Sequence, residues 1–234
     1  MSMRLLVSVR NVEEALLAAA GGADFIDLKE PGQGALGGLP VETIRAVVAA
    51  LRERGIALPV SATIGDLPMA DSSAILARVE AVGACGVDYV KVGIERDPGA
   101  GAVLFALANC GRPVVPVFIA DRGLDQHAVA RARTLGFPAL MLDTAEKRAG
   151  SLFDALGIEV LQGFVFATRK AGMLVGLAGA LRAKHADALA ELAPDFAGFR
   201  SAVCRGERSD ALDAQCLQDL VLSMRFARAP LTPR

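Results

Sequence analysis

The 234-residue chain has no tryptophan, one tyrosine and two histidines. Its formal net charge is only −1. Eleven aromatic rings leave few platforms for stacking bases, and a near-neutral balance lacks the basic footprint of a general nucleic-acid binder. Although 53% of the residues are hydrophobic and the mean hydropathy is +0.42, the apolar content is mostly Ala, Val and Leu, spread evenly. No run reaches the roughly 18 consecutive apolar residues of a transmembrane helix. Glu13 and Glu14 come too early for a signal-peptide apolar core, so the cytoplasm is the default location. The four cysteines, Cys85, Cys110, Cys204 and Cys216, show no CxxC spacing and no nearby histidine pair. Neither a structural zinc nor a disulfide framework is expected. The most telling scarcity is lysine. Of 25 basic residues only five are lysines: Lys29, Lys91, Lys147, Lys170 and Lys184. Where arginine is the default cation, each lysine raises the question of what arginine could not do.

What is present is a recurring unit. A Val/Ile/Leu-rich run of four to seven residues leads through a turn into an amphipathic stretch that often ends at Gly. Continuous apolar runs suit strands buried on both faces, and their alternation with helical patterns suits parallel βα units. The strands are expected at Arg4–Val9, Phe25–Lys29, Pro59–Ile64, Tyr89–Gly93, Val114–Ala120, Ala139–Asp143, Leu174–Ala178 and Phe196–Val203. Helices should begin near Asn11, Pro40, Asp71, Ala100, Leu124, Ser151, Leu181 and Asp213. Asn11 followed by Glu13 and Glu14 reads as an N-cap ahead of an acidic first turn. Gly21–Gly22, Gly55, Gly86 and Gly136 fall where helices should stop. The segment after Ser151 reads as one long helix or two short ones, with Phe164–Phe166 a candidate short strand. Length over roughly 150 residues allows one large domain or two small ones. Eight βα units favour the former: a single (β/α)8 TIM barrel over residues 1–234. An open doubly wound sheet is the alternative. The count of eight, and the absence of GxGxxG or GxxxxGK[ST] after the first strand, favour the barrel.

In such barrels the chemistry sits at the C-terminal ends of the strands. There the sequence places Asp27 and Lys29, the run Ser61, Thr63 and Asp66, Lys91, Asp143 with Lys147 four residues on, and Arg200 with Ser201. Phe25, Asp27 and Lys29 alternate with Ile26 and Leu28, and Tyr89 and Lys91 alternate with Val90 and Val92. The charged sets therefore share the face that points into the lumen. One Asp–Lys pair at a strand end is more often a salt bridge than a catalyst. Three of five lysines at one end of a barrel is a different matter, because a salt bridge could use Arg. Burial and a second cation lower a lysine pKa and free a nucleophilic amine. Bringing it from about 10.4 to about 7 corresponds to about 4–5 kcal/mol of differential destabilisation of the ammonium. The set reads as Schiff-base chemistry on a carbonyl substrate, with Asp27 and Asp143 available for proton transfer.

The stretch Glu30–Gly38 holds four glycines and reads equally as an anion cradle or as a flexible lid. The Gly-rich turn Gly176–Leu181 after the seventh strand, with Arg205 and Arg208 of the segment Arg200–Arg208 opposite it, suits a phosphate monoester. His127 and His185 lie in Ala-flanked stretches and read as solvated or helix-face residues. Cys85 and Cys110 read as small buried residues, and nothing in sequence marks Cys204 as a nucleophile.

The runs Ala23–Pro31 (ADFIDLKEP), Val60–Asp66 (VSATIGD), Val87–Gly93 (VDYVKVG) and Met141–Lys147 (MLDTAEK), in this order along nearly the whole chain, resemble the (5-formylfuran-3-yl)methyl phosphate synthases. These are also called 4-(hydroxymethyl)-2-furancarboxaldehyde-phosphate synthases. They are class I aldolase-like barrels of methanofuran biosynthesis in methanogens, with relatives in methylotrophic bacteria that make a methanofuran-like C1 carrier. The resemblance implies a lyase that condenses two molecules of glyceraldehyde 3-phosphate to a furan phosphate with loss of phosphate and water. It implies Lys29 as the imine-forming lysine with Asp27 beside it, Lys91 as a second lysine for proton transfer, and Asp143 and Lys147 completing the acid–base set. Ser61, Thr63, Asp66, Gly179, Ala180, Arg200, Ser201 and Arg205 are the candidate substrate and phosphate contacts. No metal or organic cofactor is expected. The expected partners are a triose phosphate and further copies of the chain, without nucleic acid or membrane. Two departures fall in the phosphate loops. Gly179-Ala180 stands where the family usually has Gly-Ser, and Arg200-Ser201-Ala202 where it usually has Arg-Gly-Ala. A deoxyribose-phosphate-type aldolase, or a non-catalytic barrel that binds phosphorylated metabolites, are the alternative readings of the same lysines.

Overall fold

The structure is a computed structural model and describes residues 3–227. Eight parallel strands follow one another around a closed barrel, and β8 pairs back onto β1. They are β1 Arg4–Val9, β2 Phe25–Leu28, β3 Val60–Thr63, β4 Tyr89–Ile94, β5 Val114–Ile119, β6 Ala139–Asp143, β7 Leu174–Leu177 and β8 Phe196–Phe199. Between them run α1 Val12–Ala20, α2 Val41–Glu53, α3 Ser72–Gly83, α4 Ala100–Ala108, α5 Gln126–Arg133, the short α6 Leu152–Ala155, α7 Ile158–Lys170 and α8 Ala186–Leu192, and α9 Ala214–Phe226 follows β8. The Asn11 side chain caps α1 by accepting from the Glu14 N–H at 2.9 Å. Gly22, Gly55, Gly86 and Gly136 take positive φ after their helices, conformations that residues with a Cβ rarely adopt.

The strand alternation sorts side chains into two compartments. Ile26, Leu28, Val90 and Val92 join the large core between sheet and helices, whereas Leu6, Val115, Val117, Met141 and Phe196 form a separate cluster inside the barrel. Phe25 and Tyr89 pack on that inner cluster, so Asp27, Lys29 and Lys91, which share their face, are aimed inward as the alternation requires.

After Ser151 there are two helices, one of the two arrangements expected, and Phe164–Phe166 lies within α7 rather than in the candidate short strand. Two other expected elements differ. Strand 8 ends at Phe199, not Val203. Arg200 leaves the extended region at φ −131°, ψ −62°, and Ser201–Val203 form a 3₁₀ turn. The cause is tertiary, because the Arg200 side chain is tied to α1 and to its own loop. Helix 8 starts at Ala186 rather than near Leu181, after a 3₁₀ turn Ala183–His185. Leu181 is instead buried in the core, and His185 stands in the β7–α8 loop, where its Nδ1 accepts from the Arg182 N–H. His127 is exposed on α5.

The glycine-rich loop after β2 folds back over the lumen. Thr63 Oγ1 donates to the Gly37 carbonyl at 2.8 Å, and the Asp66 carboxylate accepts from the N–H groups of Ala35 and Leu36 at 2.8 and 3.1 Å. These bonds drive the Leu36 side chain into the inner cluster at 1% exposure. A Cβ on Gly93 would lie 2.8 Å from Leu36 Cδ1, so β4 carries glycine where the plug inserts. Leu36 fills the part of the mouth next to Gly93 of β4, leaving a cavity lined from β1, β2, β6, β7 and β8 and by Lys91 of β4.

Candidate active site

That cavity is lined by Ser8, Asp27, Lys29, Lys91, Asp143, Lys147, Gly179, Ala180, Arg200, Ser201 and Arg208, with apolar walls that include Leu6 and Phe199. The sheet register explains the convergence. Ser8 pairs with Asp27 and Asp27 with Ser61, so three strands present polar groups at one level of the barrel. Asp27 accepts from Ser61 Oγ at 2.6 Å and from Ser8 Oγ at 3.1 Å, and its Oδ2 is 3.0 Å from Lys91 Nζ. Both members of the Asp27–Lys91 pair are buried. The Asp27 carboxylate thus has two hydroxyl donors and one lysine amine as partners, so its burial leaves no oxygen unpaired.

The second group centres on Asp143 at the end of β6. Lys29 Nζ lies 3.3 Å from its Oδ2, Lys147 Nζ contacts its Oδ1, and the Thr144 N–H donates to Oδ1 at 2.8 Å. Lys147 reaches back because it sits one helical turn's spacing after Asp143 in the β6 loop. That loop is pinned by Asp121, which accepts from the N–H groups of Ala145 and Glu146 at 2.7 and 2.8 Å. Burial lowers the Lys29 pKa to about 8. Asp143 opposes the fall, and the ammoniums of Lys147 and Lys91 reinforce it. Burial also works to raise Asp143, yet Lys147, Lys29 and Lys91 outweigh it and hold the carboxyl well below the usual carboxylate range. The site therefore holds an amine poised to lose its proton beside a carboxylate that stays ionised, which is what nucleophilic attack on a carbonyl needs.

The structure brings Lys29, Lys91, Lys147, Asp27 and Asp143 together, with Gly179, Ala180 and Ser201 on the cavity wall. Gly179 and Ala180 both take positive φ, +115° and +46°. A Cβ on Gly179 would stand 2.9 Å from Thr144, so the β7 turn and the β6 loop meet at the cavity's edge. Other candidates are placed differently. Ser61 supports Asp27 from below. Thr63 and Asp66 hold the glycine-rich loop instead of facing the cavity, and the N–H groups that an anion cradle would use at Ala35 and Leu36 are spent on Asp66. Arg205 lies outside the cavity, largely exposed, with Nε 2.6 Å from Asp213 Oδ2. Arg200 is on the wall but fully engaged with protein acceptors. Cys204 is buried, its thiol donating to the carbonyls of Arg200 and Asp210, and burial raises its pKa. Sequence reasoning passed over Ser8, although it is the one hydroxyl on the lumen face of β1. It also passed over Glu14, read only as a helix-dipole residue but buried against Arg200. Among the described residues no cluster of three or more His, Cys, Asp or Glu side chains is arranged to hold a metal ion, and no helix is long and apolar enough to cross a membrane.

Fold and site together define a TIM barrel whose C-terminal mouth carries a buried set of lysines and carboxylates. Among solved structures, phosphoribosyl anthranilate isomerase from Thermus thermophilus superposes with a TM-score of 0.67 over 95% of this chain and 98% of its own, at 20% identity. A 3-hexulose-6-phosphate synthase does so with a TM-score of 0.59 over 93% of this chain and 99% of its own, at 19% identity. These likenesses show the architecture. The family is shown by sequence. The model of the 4-HFC-P synthase family matches residues 5–221, and the chain belongs to that family. The (5-formylfuran-3-yl)methyl phosphate synthase of Archaeoglobus fulgidus is 35% identical over 94% of this chain and 98% of its own length, and that of Methanothermobacter thermautotrophicus 35% over 87% and 90%. A Methylorubrum extorquens protein named provisionally for the same activity is 38% identical over 95% of this chain and 92% of its own.

Proposed function

We propose that the protein is a (5-formylfuran-3-yl)methyl phosphate synthase that joins two molecules of glyceraldehyde 3-phosphate through an imine at Lys29, serving the biosynthesis of a methanofuran-type carrier. The observation that carries the reading is the buried Lys29 amine, its pKa brought down to about 8 beside an ionised Asp143. The neutral amine adds to the aldehyde of the first triose phosphate, and water leaves as the imine forms. The protonated imine then serves as the electron sink for loss of the adjacent proton, giving an enamine that bonds to carbon of the second triose. Two C3 phosphates become a C6 furan monophosphate by loss of one inorganic phosphate and two waters, with no change in overall oxidation level.

Lys91 and Lys147 move the protons, each in contact with a carboxylate: Asp27 for Lys91 and Asp143 for Lys147. Gly179, Ala180 and Ser201 receive the phosphate of the imine-bound triose at the cavity wall. Ser61 positions Asp27, Thr63 and Asp66 set the roof loop, and Arg200 fixes the β8 loop.

Borohydride trapping with glyceraldehyde 3-phosphate, followed by peptide mass mapping, tests the reading. A reduced adduct on Lys29 is expected, and Lys29→Arg should abolish both the adduct and furan formation. An unmodified Lys29, or full furan production by Lys29→Arg, rules out the imine. Phosphate release with a near-ultraviolet furan product separates this activity from an aldolase that stops at carbon–carbon bond formation.

A further inference from the structure

The lysine cavity opens outward into a second cavity between the β6 and β8 loops. Lys147, Ser201 and Arg208 line both, and Arg148 and Arg182 line the outer one. The arginines around this mouth differ in what occupies their guanidinium groups. Arg200 is paired with Glu14, Arg205 with Asp213 and Arg148 with Glu207, and Arg182 donates to the Ser201 carbonyl at 2.7 Å. The half-buried Arg208 side chain makes no hydrogen bond or ion pair among the described residues. Its backbone is nevertheless anchored, because its carbonyl accepts from Arg200 Nε at 2.8 Å. The loop thus holds the position of Arg208 while its fork stays free.

A charge balance of the inner cavity points the same way. Glu14 compensates Arg200, Asp27 compensates Lys91, and Asp143 compensates one of Lys29 and Lys147. When Lys29 is the neutral nucleophile, Arg208 is the remaining cation without a carboxylate in contact, and Asp143, Asp66 and Glu30 act on it only from beyond ion-pair distance. A free, partly desolvated guanidinium between two cavities is suited to bidentate binding of a phosphate dianion. A reaction that consumes two triose phosphates must hold two phosphates at once, and Gly179, Ala180 and Ser201 provide for only one of them.

We infer that Arg208, with Arg182 beside it, binds the phosphate of the second triose in the outer cavity, and so sets the enzyme's requirement for a phosphorylated second substrate. The inference rests on the function proposed above. Arg208→Met removes the charge and keeps the length, and Arg208→Lys restores charge without the fork. Two readouts divide the roles. Half-saturation of borohydride trapping at Lys29 reports the first triose, and the KM of furan formation reports the second. For Arg208→Met we expect trapping within about twofold of the unaltered protein and a KM for furan formation raised at least 30-fold, partly recovered in Arg208→Lys. An unchanged KM in Arg208→Met overturns the assignment. A parallel rise in the trapping half-saturation also overturns it, by placing Arg208 on the first phosphate. If the unaltered protein gives no adduct at Lys29, the imine reading fails on its own, and the KM of Arg208→Met still decides Arg208. If Arg208→Met does not fold, Arg208→Lys gives the same two readouts with smaller shifts.

Discussion

Two groups of buried charge stand at the same end of this barrel, one built on lysine and one on arginine. In the first, Lys29, Lys91 and Lys147 share the carboxylates of Asp27 and Asp143. In the second, Arg200 is paired with Glu14 and spends every donor of its guanidinium on protein. It donates to both Glu14 oxygens and to the carbonyls of Ser8, Arg208 and Asp210. The Arg200 group ties β1 and α1 to the β8 loop through a planar fork of fixed donors. The lysine group has an ammonium pushed toward neutrality by burial and by its fellow cations. Similar Coulombic arrangements are therefore suited to different ends. A guanidinium with five fixed donors suits a locked joint, and an amine that can lose its proton suits nucleophilic chemistry.

Exchanging the two cations tests this contrast most severely. Lys91→Arg keeps the charge beside Asp27 but cannot exchange a proton, and turnover should fall by about 10²–10⁴-fold with only a modest change in substrate affinity. Steady-state furan formation measures it, and an unaltered kcat would reduce Lys91 to a structural charge. The reverse swap, Arg200→Lys, leaves at least two buried acceptors unpaired and should cost about 2–4 kcal/mol of stability. Denaturant unfolding would show this as a lower midpoint at unchanged slope, whereas an unchanged midpoint would mean that the Arg200 fork is dispensable. A smaller effect is expected from pH. Because the folded pKa of Lys29 is lowered from the ordinary lysine value of 10.5 to about 8, the neutral amine accumulates as pH rises toward 8. The initial rate of adduct formation should climb about tenfold per pH unit below that value and flatten above it. A rate still climbing tenfold per unit at pH 9 would show that burial leaves the amine unperturbed. Arg205→Ala, which removes an exposed guanidinium paired only with Asp213 outside the cavity, should leave both Tm and the KM of furan formation unchanged. A raised KM would place Arg205 on substrate.

Much of the architecture was legible because it is written locally. Alternation along Phe25–Lys29 and Tyr89–Gly93 is enough to put Asp27, Lys29 and Lys91 on the lumen face, since successive strand residues point to opposite sides. The Asn11 cap and the glycines after helices are equally local. Loops are a different matter. Four glycines after Lys29 suit a cradle as well as a lid, and only the bonds from Thr63 and Asp66 show that the loop carries Leu36 down into the barrel. Arg205 and Arg208 are three residues apart in one polar segment, and nothing in that segment says which faces the cavity. The early end of β8 follows from the bond between Arg200 and Glu14, 186 residues apart in sequence.

By itself, the sequence determined eight strand–helix units, the inward face of each strand, and the placing of three scarce lysines near strand ends, because hydrophobic periodicity acts over a few residues. Tertiary structure alone decided which charges pair and which remain free. Barrel closure sets Asp143 between Lys29 and Lys147, Glu14 against Arg200, and Arg208 open at the mouth, and the pKa of a buried amine depends on how many charges closure brings around it.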